Sequence, residues 1–226
     1  MNKTKFFTSV GFSHTGFGFE TAQRILNVGP NTMTKLFRLN LLDITSDEQE
    51  GRNLNYVGYS LEFLASARNR PLLVPEGERA LVCSMGVEEH RNVPSPYFDA
   101  QGLRCADCLA EVEAQVNKDT WEQICDGHLR VTGHWRVSES DAKFLKDNHC
   151  IFVASYAGFI LEGGRIVDYL GRSQFSSNGG RYFIIQPFDP KERHRFAHNF
   201  LPSRQGPMNR VWTHEELLKE AERADF

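Results

Sequence analysis

The stretch Ala22-Gln23-Arg24-Ile25-Leu26-Asn27-Val28-Gly29-Pro30-Asn31-Thr32-Met33-Thr34-Lys35-Leu36 decides how the first third of the chain is read. Two segments with apolar residues at helical spacing flank a short break at Asn27-Val28-Gly29. A helix-turn-helix needs a small residue where its helices cross and a residue tolerant of left-handed backbone in the turn. It also needs apolar side chains on the inner face of the second helix. Ala22, Asn27 and the set Val28, Met33 and Leu36 meet these needs, asparagine being the best non-glycine at a left-handed position. The periodicity predicts helices over residues 19–27 and 31–42. Asn31, Thr32, Lys35 and Arg38 then face outward, with Arg24 on the first helix, all able to reach phosphates or base edges.

These residues resemble the winged helix-turn-helix of phage excisionases and MerR-type regulators, which share an alanine, two leucine-like residues, a turn, a valine and a following leucine. They are also similar to the DNA-binding part of phage antirepressors of the KilA-C kind, through Lys35-Leu36-Phe37-Arg38 and Leu41-Leu42. The resemblance covers residues 17–65. It implies double-stranded DNA as partner and a cytoplasmic transcription regulator of phage or mobile-element type. An acidic run, Ser46 to Glu50, stands where a wing would meet DNA. A helical hairpin used only for packing or protein contact remains the alternative.

Beyond this segment the proline of Arg68-Asn69-Arg70-Pro71 disfavours helix before it and marks a boundary between residues 1–70 and residues 71–226. Leu72–Val74 and Arg79–Ser84 read as strands around the turn Pro75-Glu76-Gly77, and residues 88–102 as loop. Residues 150–156, 159–162, 165–169 and 181–186 are rich in β-branched and aromatic residues and read as strands, with Gly163-Gly164 as a hairpin turn. Asp189-Pro190 starts a helix, and Thr213 with Glu216 forms a capping box for another. The fold class expected is α+β: an N-terminal helix-turn-helix, then a β-rich domain or small barrel with attached helices. The stretch from Trp135 to Arg210 resembles the small barrels of the PUA, ASCH and EVE type. That likeness implies base-stacking roles for Trp135, Tyr156 and Tyr182, against a plain core role.

Cys105-Ala106-Asp107-Cys108 and Cys125-Asp126-Gly127-His128 are two pairs at zinc-finger spacing, so Cys105, Cys108, Cys125 and His128 are candidate ligands of a structural zinc. An unbroken helix over 109–124 would hold the pairs about 22 Å apart at a rise of about 1.5 Å per residue. They can meet only if Asn117-Lys118-Asp119-Thr120 breaks it. His194 and His198 are four apart, but a zinc-protease motif needs glutamate after the first histidine and Arg195 stands there.

The chain has 226 residues, 40% hydrophobic and 24% charged, with a net charge of −3. These values exclude disordered, collagen-like and coiled-coil classes. No apolar run approaches the roughly 20 residues of a membrane span, and the start has no convincing cleavage site, so no membrane contact is expected. Five cysteines suggest thiols or metal ligands over a disulfide framework. Residues 163–212 hold 8 basic and 3 acidic side chains, whereas residues 71–162 hold 8 and 15. Arg172, Arg181, Lys191, Arg193, Arg195, Arg204 and Arg210 make that later zone a second candidate polyanion contact, unless they pair with the acidic middle. The leading expectation is a DNA-binding regulator whose C-terminal domain serves dimerisation, ligand sensing or partner binding. An enzyme acting on nucleic acid, a modified-base reader, and an inhibitor or adaptor working by protein contact are the alternatives.

Overall fold

The computed structural model describes residues 16–38, 41–42, 55–85, 106–176, 179–202 and 209–223. The loop expected over residues 88–102, the acidic run Ser46 to Glu50, Cys105 and Arg204 lie outside them. The architecture is α+β, with helices packed around a mixed sheet.

The N-terminal part holds strand β1 (Gly16–Gly18), helices α1 (Phe19–Leu26) and α2 (Pro30–Arg38), strand β2 (Asn55–Val57) and helix α3 (Gly58–Arg68). β1 pairs antiparallel with β2, Phe17 opposite Tyr56. Asn27 terminates α1 in the left-handed conformation, φ 51° and ψ 50°, as the sequence required. Ala22, Ile25, Leu26, Met33 and Leu36 are buried in one cluster with Tyr56, Leu61 and Leu64.

The main sheet follows the order β4 (Arg130–Trp135), β7 (Arg181–Pro187), β6 (Phe159–Arg172), β5 (Ile151–Tyr156), β3 (Arg79–Ser84), β9 (Asn209–Thr213), with β8 (Asn199–Phe200) added to β6. β3 and β5 run parallel, so a crossover must join them. It contains α4 (Ala106–Glu113), α5 (Lys118–Cys125), β4 and α6 (Glu139–Asp147). α7 (Pro190–Phe196) and α8 (His214–Arg223) complete the chain.

Six strands laid flat would place β4 and β9 about 24 Å apart, at spacings of about 4.8 Å. Instead the Asn209 side chain bridges them. Its Nδ2 donates to Arg136 O at 2.8 Å and its Oδ1 accepts from Arg136 N at 3.3 Å. The sheet is therefore curled into a partly closed barrel. Its interior is one cluster drawn from five strands: Leu81 and Cys83, Trp135, Phe152 and Ala154, Ile166, and Phe183 and Ile185, with Ala142 and Leu145 of α6 packed in. On the outer side Tyr182 and Ile184 pack with Val112 of α4 and Ile124 of α5. Ile151 and Val153 pack there with Phe196 of α7 and Leu217 of α8.

Several local expectations hold. Asn117 breaks the 109–124 segment by capping α5, accepting from Thr120 N at 2.8 Å. Asp189 caps α7 through Glu192 N, and Thr213 and Glu216 exchange both capping-box bonds. Three need correction. The second helix, expected over residues 31–42, ends at Arg38. Leu72–Val74 is not a strand; only Pro71 forms a bridge, to Phe200. Gly163-Gly164 is not a turn but lies inside the 14-residue strand β6. The hairpin turn is Ala157-Gly158, where both residues have positive φ, 55° and 96°, the geometry favoured by strand twist. Gly163 and Gly164 are glycine because the sheet is crowded there. A Cβ at Gly163 would lie 2.3 Å from Phe152 O, and one at Gly164 2.3 Å from Gln186 O.

Gly163→Ala is expected to destabilise the chain by about 1–3 kcal/mol, the range for forcing an extra carbon into packed structure. Gly18→Ala, with nothing within 4 Å, meets no such clash and should cost less, keeping only the preference for glycine over alanine at the N-cap of α1. Asn209→Ala removes both closing bonds and is expected to cost about 1–2 kcal/mol. Urea midpoints at constant slope check all three.

Candidate nucleic-acid interface

The turn between α1 and α2 is held from both sides. The Asn27 and Val28 amides both donate to Gln23 O, and the Gln23 side chain reaches Val28 O at 3.4 Å. Met33 N donates to Gly29 O, which sets the first turn of α2. With Met33 and Leu36 at zero exposure, the opposite face of α2 is fixed outward. Asn31 and Arg38 are exposed there, Thr32 and Lys35 are half-buried, and Thr34, absent from the sequence-derived set, is exposed as well. Thr34 also closes a local bond to Pro30 O at 3.1 Å. The sequence of α2 has no acid, and its last turn carries Lys35 and Arg38. Arg24 is exposed on α1 and reaches Glu20 O and Thr21 Oγ1 at 3.4 Å.

The later basic zone divides into two. Arg181 is buried and paired with Glu139 at 2.5 Å, and Arg210 pairs with Glu216. Arg181 is thereby taken up inside the fold, whereas the Arg210–Glu216 pair lies at the surface. Lys191, Arg193 and Arg195 are exposed on α7. His198 does not share a helical face with His194, because α7 ends at Phe196 and His198 takes φ 62°. Its Nε2 stands 2.6 Å from Ser66 Oγ of α3, and its ring meets Phe63 edge-on. The single Ser66 hydroxyl proton goes to Phe63 O at 2.9 Å, so His198 Nε2–H is the donor to Ser66.

Three of the four candidate zinc ligands fall within the described residues. Cys105 lies outside the described residues, Cys108 is 2% exposed among Val112, Ile124 and Tyr182, and Cys125 and His128 are both exposed. Among the described residues no group of three or more His, Cys, Asp or Glu is placed to hold a metal ion. Trp135, Tyr156 and Tyr182 are 1%, 9% and 0% exposed. Their rings belong to the core, so they offer no face for a base to stack on.

Sequence reading missed one polar cluster. Tyr182 OH donates to Glu111 Oε2 at 2.8 Å, Ser173 Oγ donates to the same oxygen at 2.6 Å, and Gln174 N donates to Oε1 at 2.9 Å. His134 Nε2 stands 2.7 Å from Tyr182 OH. Since the tyrosine proton goes to Glu111, His134 supplies the other one. Burial raises the Tyr182 hydroxyl well above its ordinary value. Burial would also raise Glu111, but the bonds from Ser173, Gln174 N–H and Tyr182 outweigh it and hold the carboxyl below its usual range. This cluster pins α4 to the end of β6. An open cleft of about 390 Å³ lies beside it, between α4 and Gln174-Phe175. No spacing rule could have joined residues 111, 134, 173 and 182, which come from four separate segments.

Comparison with known proteins gives no relative: no family model, curated protein or solved structure matches the chain.

Burial lowers the pKa of His134, partly opposed by Glu111, and lowers that of His198, assisted by the Arg70 charge. A histidine depressed in the fold takes up its proton more readily when unfolded. Stability is thus full above the unfolded value of about 6.5 and falls as pH drops through the folded values. Denaturation between pH 7.5 and 5.5 is expected to show that loss, with His134→Gln and His198→Gln each flattening the slope.

Proposed function

We propose that this protein is a DNA-binding regulator that contacts a duplex through α2. The observation that carries the reading is the turn at Asn27. Its left-handed backbone sets two short helices against one apolar cluster and leaves Asn31, Thr34 and Arg38 exposed on the second. That is the arrangement in which a recognition helix offers its polar face to the major groove. Asparagine suits an adenine edge, arginine a guanine edge or a phosphate, and threonine either. The pairing of β1, just before α1, with β2, after α2, supports the reading as well. It ties both ends of the two-helix segment together, so the face is presented by a braced unit. The curled sheet and its helices supply the body that carries this unit.

The charge balance does not exclude the reading. The overall net charge is −3, but polyanion binding depends on a local basic face rather than on the sum.

Lys35→Ala with Arg38→Ala is expected to weaken duplex binding and to reduce the salt slope of log Kobs by about 2, one unit for each phosphate no longer neutralised. Asn31→Ala is expected to reduce discrimination between sequences while leaving the salt slope in place. Fluorescence anisotropy on a duplex panel over a salt series measures both. An unchanged affinity and slope in the double variant would end the reading.

A further inference from the structure

α7 is a short basic helix fixed to the N-terminal unit. Lys191, Arg193, His194 and Arg195 are all exposed. The acids nearby are engaged by other groups. Glu192 holds Arg165 Nε at 2.6 Å, Glu78 holds the same guanidinium at 2.9 Å, and the Asp189 side chain accepts from Glu192 N as the helix cap. Among the described residues none of Lys191, Arg193 and Arg195 has an acidic partner. Their positive charge is therefore left facing solvent.

A further cation comes from the chain just beyond α3. Arg70 Nη2 donates to His194 O at 2.6 Å. The junction around it is bonded throughout. Phe200 N donates to Arg70 O at 2.7 Å, Leu72 N donates to Phe200 O at 3.1 Å, and His198 is joined to Ser66. The Arg68 guanidinium lies over the Phe200 ring, 4.2 Å from its centre. The basic end of α7 and the unit that carries α2 thus belong to one packed body.

We infer that Lys191, Arg193 and Arg195 of α7, with Arg70, form a second contact to DNA, made to backbone phosphates and independent of base sequence. The inference rests on the duplex reading of α2 and adds where the rest of the duplex is held. Separate point charges on an open helix fit an extended polyanion, because each neutralises one phosphate and releases its counterions. Backbone contacts of this kind fix register and orientation, while base contacts specify.

The test uses the full chain, two 30-base-pair duplexes of unrelated sequence and the triple variant Lys191→Gln, Arg193→Gln, Arg195→Gln. All three side chains are exposed, so the thermal midpoint should match the parent. The expected result is a salt slope lower by about 2–3 and affinity reduced roughly 10- to 100-fold at about 0.1 M salt, equally on both duplexes. Arg70→Gln should add to the loss. Unchanged affinity and slope in the triple variant, with the parent still binding duplex, overturn the inference and leave the α2 reading standing. A loss confined to one of the two duplexes also overturns it, because phosphates carry no sequence. Binding of the parent to phosphatidylserine vesicles and to neither duplex overturns it in favour of a membrane surface. If the α7 variant loses binding while the α2 double variant keeps it, the second contact stands and the α2 reading fails.

Discussion

One side chain joins the two ends of the curled sheet. Asn209, at the start of β9, presents a donor and an acceptor on one side chain, and both bond to the backbone of Arg136, just past β4. Among the described residues no strand ladder joins β4 to β9, and that one residue spans the gap. Curling in turn gives the interior its contents. Trp135, Phe152 and Phe183 come from three strands and share one cluster, which a flat sheet would spread over a wide face.

Curling also dictates what must lie outside. All six side chains of β5 are buried, so both of its faces need cover. The inner face is covered by the barrel interior and α6, the outer one by α7, α8 and Trp212. At the Ala157-Gly158 turn the helical N-terminal unit takes over. Phe159 and Phe200, ring centres 5.0 Å apart, are buried in the same cluster as Met33, Leu36 and Leu61. The segment from Arg70 to Leu72, marked in the sequence as a boundary by Pro71, is bonded on both sides to Phe200. A proline can stop a helix without freeing the chain, and here it turns α3 directly onto the sheet.

What the sequence revealed was whatever short-range chemistry controls. Helix starts were legible where a cap involves residues three apart: Asp189 and Thr213 cap as their spacing requires, and the break expected at Asn117 to Thr120 is the start of α5. The turn at Asn27 was legible for the same reason. Other helix ends were not, since the second helix stops at Arg38 and α7 at Phe196. The two glycines of β6 misled because Gly-Gly signals a turn locally, whereas their cause is a neighbouring strand and the Phe188 ring. The outward face of α2 was mostly legible, yet Thr34 was missed and Thr32 and Lys35 proved half-buried. The spacing of the cysteines and histidine said nothing of their surroundings: Cys108 packs in the core beside Val112 and Tyr182, whereas Cys125 is exposed. The basic zone could not be divided from sequence. Whether an arginine meets Glu139 or solvent depends on contacts between residues far apart in the chain, as for Arg181 and Arg193.

Curled sheets carry a hazard at their last strands, where unpaired backbone groups can template another chain. β9 has five residues, and β4 has six with a register break between Thr132 and Trp135. Neither offers a long flat run. Because Asn209 draws the two free edges together, an incoming strand would find each margin obstructed by the other. The bond that shapes the interior thereby also protects the molecule against edge-to-edge association with its own copies.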